Sequence, residues 1–139
     1  MTSNQQKANN YLSQIRNASK ELTELISRID YLRYKASGAG AIRYDKDHVQ
    51  TSPEDMVCQS IAEAVELENK LSNRHKQLLS MKEHTEKVIA LWSDNNAKFI
   101  EHYYLNHGSM TGAADIIGCS QRHIYRIKFS ALDEFSKHL

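Results

Sequence analysis

One proline and five glycines in 139 residues leave this chain few places to stop a helix. Proline removes a backbone donor and glycine costs conformational entropy, so both punctuate regular structure. Their scarcity favours long helices over a many-turned β fold and predicts an all-α protein. The glycines also fall in a few places. Gly38 and Gly40 sit near the end of the first third, and Gly108, Gly112 and Gly118 gather in the last third.

Between these breaks the apolar residues repeat every three and four positions. From about 5 to 36, one set is Ala8, Ile15, Leu22, Ile29 and Ala36, and the other is Tyr11, Ala18, Leu25 and Leu32. This is the heptad spacing that keeps an apolar seam on one side of a helix. Leu12 and Ile26 widen the stripe. It suits either a long amphipathic helix packed on its own domain or a coiled coil, within the chain or between chains. Residues 37–52 break the pattern and read as a loop. Gly38 and Gly40 lack the preceding strand and the following Gly-Lys-Ser/Thr of a phosphate cradle. The loop is long for a connection between helices.

Ser52, Pro53, Glu54 and Asp55 form a helix start. A capping hydroxyl precedes a proline whose missing N–H is no loss there, and two acids suit the positive helix end. A second heptad then runs to about Trp92. It is carried by Ala64, Leu71, Leu78, Thr85 and Trp92, and by Ser60, Leu67, Arg74, Met81 and Val88. Ser60, Arg74 and Thr85 are polar interruptions of a kind that fixes register. At 1.5 Å per residue, the two helices would be about 45 and 60 Å long. Residues 1–36 carry a charge balance of +3 and residues 53–94 one of −3. The two segments are thus complementary, and the expected arrangement is a long antiparallel, coiled-coil-like helical hairpin over residues 1–94.

The rest, residues 95–139, reads as a small three-helix module. Ser93 to Asn96 is a polar cap cluster. Ala97 to about Leu105 forms a short helix with Phe99, Ile100, Tyr103 and Tyr104 as its bulk, ended at Asn106, His107 and Gly108. Thr111 to Lys128 then has the spacing of a helix-turn-helix. Its first helix is expected from Thr111 to Ile117, with Ala113 and Ala114 small enough for a close crossing. Gly118 supplies the left-handed corner and Ser120 caps the second helix. Ala113, Ile117, Cys119, Ile124 and Ile127 are the expected interior. Gln121, Arg122, Tyr125, Arg126 and Phe129 are left outside. Arg pairs with guanine and Gln with adenine in a major groove, and further donors serve phosphate. The expected double-stranded DNA contacts are Gln121, Arg122 and Arg126, with His123 beside them. Tyr125 and Lys128 are expected at the backbone, and Thr111 and Ser120 at helix N-termini on phosphate. The window 111–130 has a balance of +2 while the whole chain has +1. The positive charge that matters is therefore local.

Other classes are poorly served. Seven histidines lack a second ligand pair at zinc spacing, so neither a metal nor another cofactor is expected. No nucleophile–base set emerges, and Glu63, Glu66, Glu83 and Glu86 read as solvated charges. No enzyme activity is expected. Cys58 and Cys119 are far apart and suit a reducing cytoplasm. The polar N-terminus is unlike a signal peptide, and no apolar run nears the ~18 residues of a membrane span.

Residues 97–135 resemble region 4 of bacterial RNA polymerase sigma factors. The likeness rests on Tyr-Tyr-Leu at 103–105, Ala-Ala-Asp-Ile-Ile-Gly at 113–118 and Ser-Gln-Arg-His-Ile-Tyr-Arg at 120–126. The chain as a whole is similar to small phage and prophage regulators of Gram-positive bacteria of the ArpU and RinA late-activator type. Thr111, Gly112, Ala113 and Ala114 depart from the bulky residue and acidic pair usual in the sigma segment. The resemblance implies a phage-type transcription regulator acting with host RNA polymerase in the host cytoplasm, self-associating through its N-terminal helices. A DNA-packaging assembly protein of small-terminase type and a polymerase-binding module without DNA contact are the alternative expectations.

Overall fold

The computed structural model describes residues 1–37 and 53–139. The expected loop beyond Ser37 and the Ser52 cap lie outside the described residues. Six α-helices and one π-helical turn form the described chain, and no strand occurs among those residues. In order these are α1 (Ser3–Arg16), α2 (Ala18–Ala36), α3 (Pro53–Ala90), α4 (Asn95–Ile100), a π-helical turn (Glu101–Leu105), α5 (Met110–Ile117) and α6 (Gln121–Ser136).

The contacts gather these elements into two compact units, one of residues 1–18 and 77–139 and one of residues 19–76. This differs from the division at residue 94 drawn from the sequence. The continuous first helix expected over 5–36 is also interrupted. Asn17 has φ −92° and ψ 3°, outside helical geometry, and separates α1 from α2. The heptad alone could not show why. Ala8, Leu12 and Ile15 of α1 are buried in the unit that contains α6 and the π turn. Thr2 and Gln5 close a reciprocal capping box at the start of α1, and Gln5 Nε2 donates to Asp133 of α6 at 2.9 Å. The first half of the expected rod thus serves as a core element of the C-terminal helices. The three-helix module is completed by a helix from the other end of the sequence.

In the larger unit, the core is formed by Leu12, Phe99, Ile100, Tyr104, Ile124, Leu132 and Phe135, all fully buried. Thr85, an expected polar interruption, is fully buried too, and its hydroxyl donates to the Met81 carbonyl at 2.9 Å. That local bond removes the cost of an orphaned buried hydroxyl. Asp94 caps α4 by accepting from the Asn96 and Ala97 amides, which accounts for the polar cluster after α3. The expected helix over 97–105 begins two residues earlier and loosens into the π turn at Glu101. Asn106 and the left-handed His107 (φ 57°) end it.

In the unit of residues 19–76, Ile29 and Leu32 of α2 and Ser60 and Ala64 of α3 are buried. Arg33 pairs with Glu68 at 2.6 Å and Arg74 with Glu21 at 3.0 Å. The residue numbers rise along α2 as they fall along α3, so the two segments run antiparallel. Arg74, the interruption in the second heptad, lies part-buried in that seam with a carboxylate to neutralise it.

Candidate nucleic-acid interface

Helices α5 and α6 are joined by Gly118, Cys119 and Ser120, and each corner has a local cause. Gly118 adopts φ 82° and ψ 37°, and its N–H bonds back to the Ala114 carbonyl at 2.8 Å. Space is not the constraint, since an added Cβ would meet nothing within 4 Å. The left-handed backbone itself disfavours a side chain, because Cβ then crowds the following carbonyl. Ser120 has extended backbone, and its hydroxyl accepts from the His123 amide at 3.1 Å. Ala113, Ala114 and Ile124 are fully buried and Ile127 nearly so, while Ile117 and Cys119 are half-buried.

The opposite face of α6 is open. Gln121, Arg122, His123, Tyr125 and Arg126 are all exposed, and Phe129 is partly so. Arg122, Tyr125, Arg126 and Phe129 fall at i, i+3, i+4 and i+7, which places them on one stripe. Among the described residues, neither arginine forms a salt bridge. Their donors therefore have no acceptor among the described residues. Beside this stripe, His123 and Arg126 share an open cleft of about 370 Å³ with Asn95 and Asn96 of α4 and Ser130. Asn96 Nδ2 donates to Glu134 at 3.0 Å and to Ser130 at 3.2 Å, tying the start of α4 to α6.

Two expected contacts stand apart from this stripe. Thr111 does not begin α5. Ser109 is the cap, accepting from the Gly112 amide at 2.9 Å, so Thr111 is an exposed residue inside the first turn. The capping position of α5 is therefore held by Ser109, and the helix starts one residue earlier than its apolar pattern indicates. Lys128 is half-buried, with its ammonium 5.5 Å from the Tyr103 ring centre. Burial lowers its pKa, and the nearby Arg16 charge lowers it further.

The residues that fasten the turn before α5 carry no motif in the sequence. Arg16, the last residue of α1, donates to the carbonyls of Tyr103 and Gly108, the latter at 2.6 Å. Its guanidinium also lies 4.0 Å from the Tyr103 ring centre, and Tyr103 stacks on the buried Phe99 at 5.3 Å. A single cation thus fastens the turn that leads into α5 to both a carbonyl pair and a ring face. The His102 ring lies under the same turn. A Cβ on Gly108 would fall 2.1 Å from His102 Nε2 and one on Gly112 2.8 Å. Gly112 therefore yields helix propensity and leaves room for the ring. His102 Nε2 is buried and without a hydrogen-bond partner among the described residues. The only advance signal was the coincidence of a histidine with two nearby glycines.

No family model, curated protein or solved structure matches the chain. Among the described residues no group of three histidines, cysteines or carboxylates is placed to hold a metal ion. No helix among them is long and apolar enough to cross a membrane.

Proposed function

We propose that this chain is a phage-type DNA-binding transcription regulator, in which α5 and α6 act as a helix-turn-helix and α6 enters the major groove of duplex DNA. In this reading, α2 and the first part of α3 form a helical hairpin that brings copies together. The observation that carries it is the division of α6 into two faces. Ile124, Ile127 and Ala131 are buried, while Arg122, Tyr125 and Arg126 stand exposed on a stripe with no ion pair among the described residues. Exposed arginines on a rigid, capped helix can meet guanine edges or phosphates without first breaking an internal contact.

Gln121 and Arg122 lie nearest the helix start and are assigned to base edges. Arg126, His123 and Tyr125 are assigned to phosphate, and Ser120 to a phosphate at the helix N-terminus. Lys128 is left out of the contact set, since its burial against Tyr103 competes with DNA. The likeness of residues 97–135 to sigma region 4 supports action beside host RNA polymerase.

The test is a gel-shift titration on duplexes selected from a random pool, with Arg122→Ala and Arg126→Ala combined. Strongly weakened binding at unchanged helicity is expected, with a fall of about one in the slope of log affinity against log salt, since of the two arginines only Arg126 is assigned to phosphate. Full-strength binding by the double variant would remove the assigned interface.

A further inference from the structure

In the unit of residues 19–76, apolar side chains remain outside the seam. Ile61 and Val65 of α3 are 40% and 44% exposed, and Ile26 of α2 is 47% exposed. They share one side. Ile26 lies seven residues before Arg33, and Ile61 seven before Glu68, so each shares a helix face with its ion-pair residue. The Arg33–Glu68 pair joins those two faces. Val65, four residues after Ile61, stands on the same stripe. This leaves an apolar strip beside the ion pair.

The charge along α3 indicates what covers the strip. Residues 54–68 contain Glu54, Asp55, Glu63, Glu66 and Glu68 and no basic residue. Residues 69–76 contain Lys70, Arg74 and Lys76 and no acidic one. Glu68 and Arg74 are taken by Arg33 and Glu21 of the same chain, which leaves the ends of the stretch, acidic Glu54 and basic Lys76, complementary when the helix is read backwards. On the exposed strip, Glu54 and Lys76 are each eleven residues from Val65 and both are exposed. A two-fold axis through Val65 sets Val65 against its own copy and Glu54 against Lys76 of the second copy. Such an isologous contact uses one patch twice.

We propose that α3 is a self-association surface, pairing antiparallel with α3 of a second copy of this chain about an axis at Val65. The proposal deepens the self-association part of the functional reading and rests on it, but it is tested without DNA. The apolar strip is narrow beside the ~800 Å² per partner of a standard interface, so the dimer is expected to be weak and concentration-dependent.

Sedimentation of the full chain should show a monomer–dimer equilibrium. Val65→Lys places like charges across the axis and should weaken dimerisation more than about tenfold. Val65 is exposed in the single chain, so helicity by circular dichroism should not change. Glu54→Lys should weaken the dimer and Lys76→Glu in the same chain should restore it. Geometry is read by mild oxidation in a Cys119→Ser background. With Cys58→Ser and Val65→Cys, each chain should link to its copy. Native Cys58 should not, because antiparallel pairing separates the two by about 21 Å along the helix, too far for a disulfide. A monomer at all concentrations, Cys58 linkage as efficient as that at position 65, or an unaffected dimer in Val65→Lys would each overturn the proposal. Gel shifts with the Val65→Lys chain keep this outcome separate from the groove-binding assignment, since a monomer can still bind a half-site weakly.

Discussion

Phe99, Tyr104 and Phe135 are fully buried in the unit of residues 1–18 and 77–139, whereas the unit of residues 19–76 buries no aromatic ring among its described residues. The second unit instead holds Ile29, Leu32, Ser60 and Ala64 inside and fastens its edges with two ion pairs. Tyr31 and Tyr34 remain half-exposed there. The difference teaches how the two regions meet the entropy of folding. Large buried rings remove much apolar surface from water at low side-chain entropy, while a seam of two helices removes little. Half-exposed ion pairs add at most about 1 kcal/mol each. The ring-cored unit can hold a rigid binding surface, and the seam-built unit gains stability from whatever covers its open side.

The sharpest way to break this contrast is Phe99→Ala. It removes a fully buried ring that stacks on Tyr103 and meets Tyr104 edge-on. We expect a loss of about 3–5 kcal/mol in urea unfolding, with loss of DNA binding. A small effect would mean that the rings do not carry the larger unit. Arg16→Met comes next. It deletes two charged hydrogen bonds and a guanidinium–ring contact, for an expected cost of about 2–3 kcal/mol. Faster amide exchange at residues 106–112 should accompany it, while exchange in residues 19–36 should not change. Equal acceleration in both segments would show that Arg16 does not act on this turn.

Tyr104→Phe tests the interior of the same core. The phenol donates to Asn9 at 2.8 Å, and burial raises its pKa above the ordinary 10.0, with Tyr103 adding and Arg16 opposing. Near pH 8 the variant should lose about 1 kcal/mol. Above pH 10 the unfolded wild-type chain releases this proton while the folded chain keeps it, so wild-type stability falls as pH rises. Phenylalanine lacks that proton, so the stability gap between the two proteins should narrow between pH 8 and pH 11. A constant gap would contradict a buried phenol. Arg33→Ala should do least, with an expected change of about 0.5 kcal/mol or less, falling further in high salt. A cost above about 2 kcal/mol would show the seam of the smaller unit to depend on this pair far more than half-exposed charges normally allow.

Much of the α5–α6 segment was legible in the sequence because its constraints are local. A residue that tolerates positive φ was needed at 118 and a hydroxyl cap at 120, and both are present with the bonds expected of them. Burial at 113, 124 and 127 followed from helical spacing. The sequence placed the start of α5 at about Thr111, and the backbone starts it at Met110, with Ser109 as the cap. The heptads of α2 and α3 likewise included Ile29, Leu32 and Ala64, which are buried, and marked Ser60, Arg74 and Thr85 as polar interruptions, of which Arg74 meets Glu21 and Thr85 bonds to the Met81 carbonyl.

The sequence by itself determined that this chain is helical, where its sharp corner lies and which face of its last long helix carries exposed arginines. Each of these depends on residues within about two turns of one another, where spacing along the chain is spacing in space. Only the tertiary structure decided that the heptad of residues 5–36 divides at Asn17, and that Arg16 is spent on the carbonyls of Tyr103 and Gly108. It also decided that Gly112 is small for the sake of His102. Those contacts join residues 10 to 92 positions apart. An apolar stripe states that it must be buried, but the partner is set by which distant surface completes the packing.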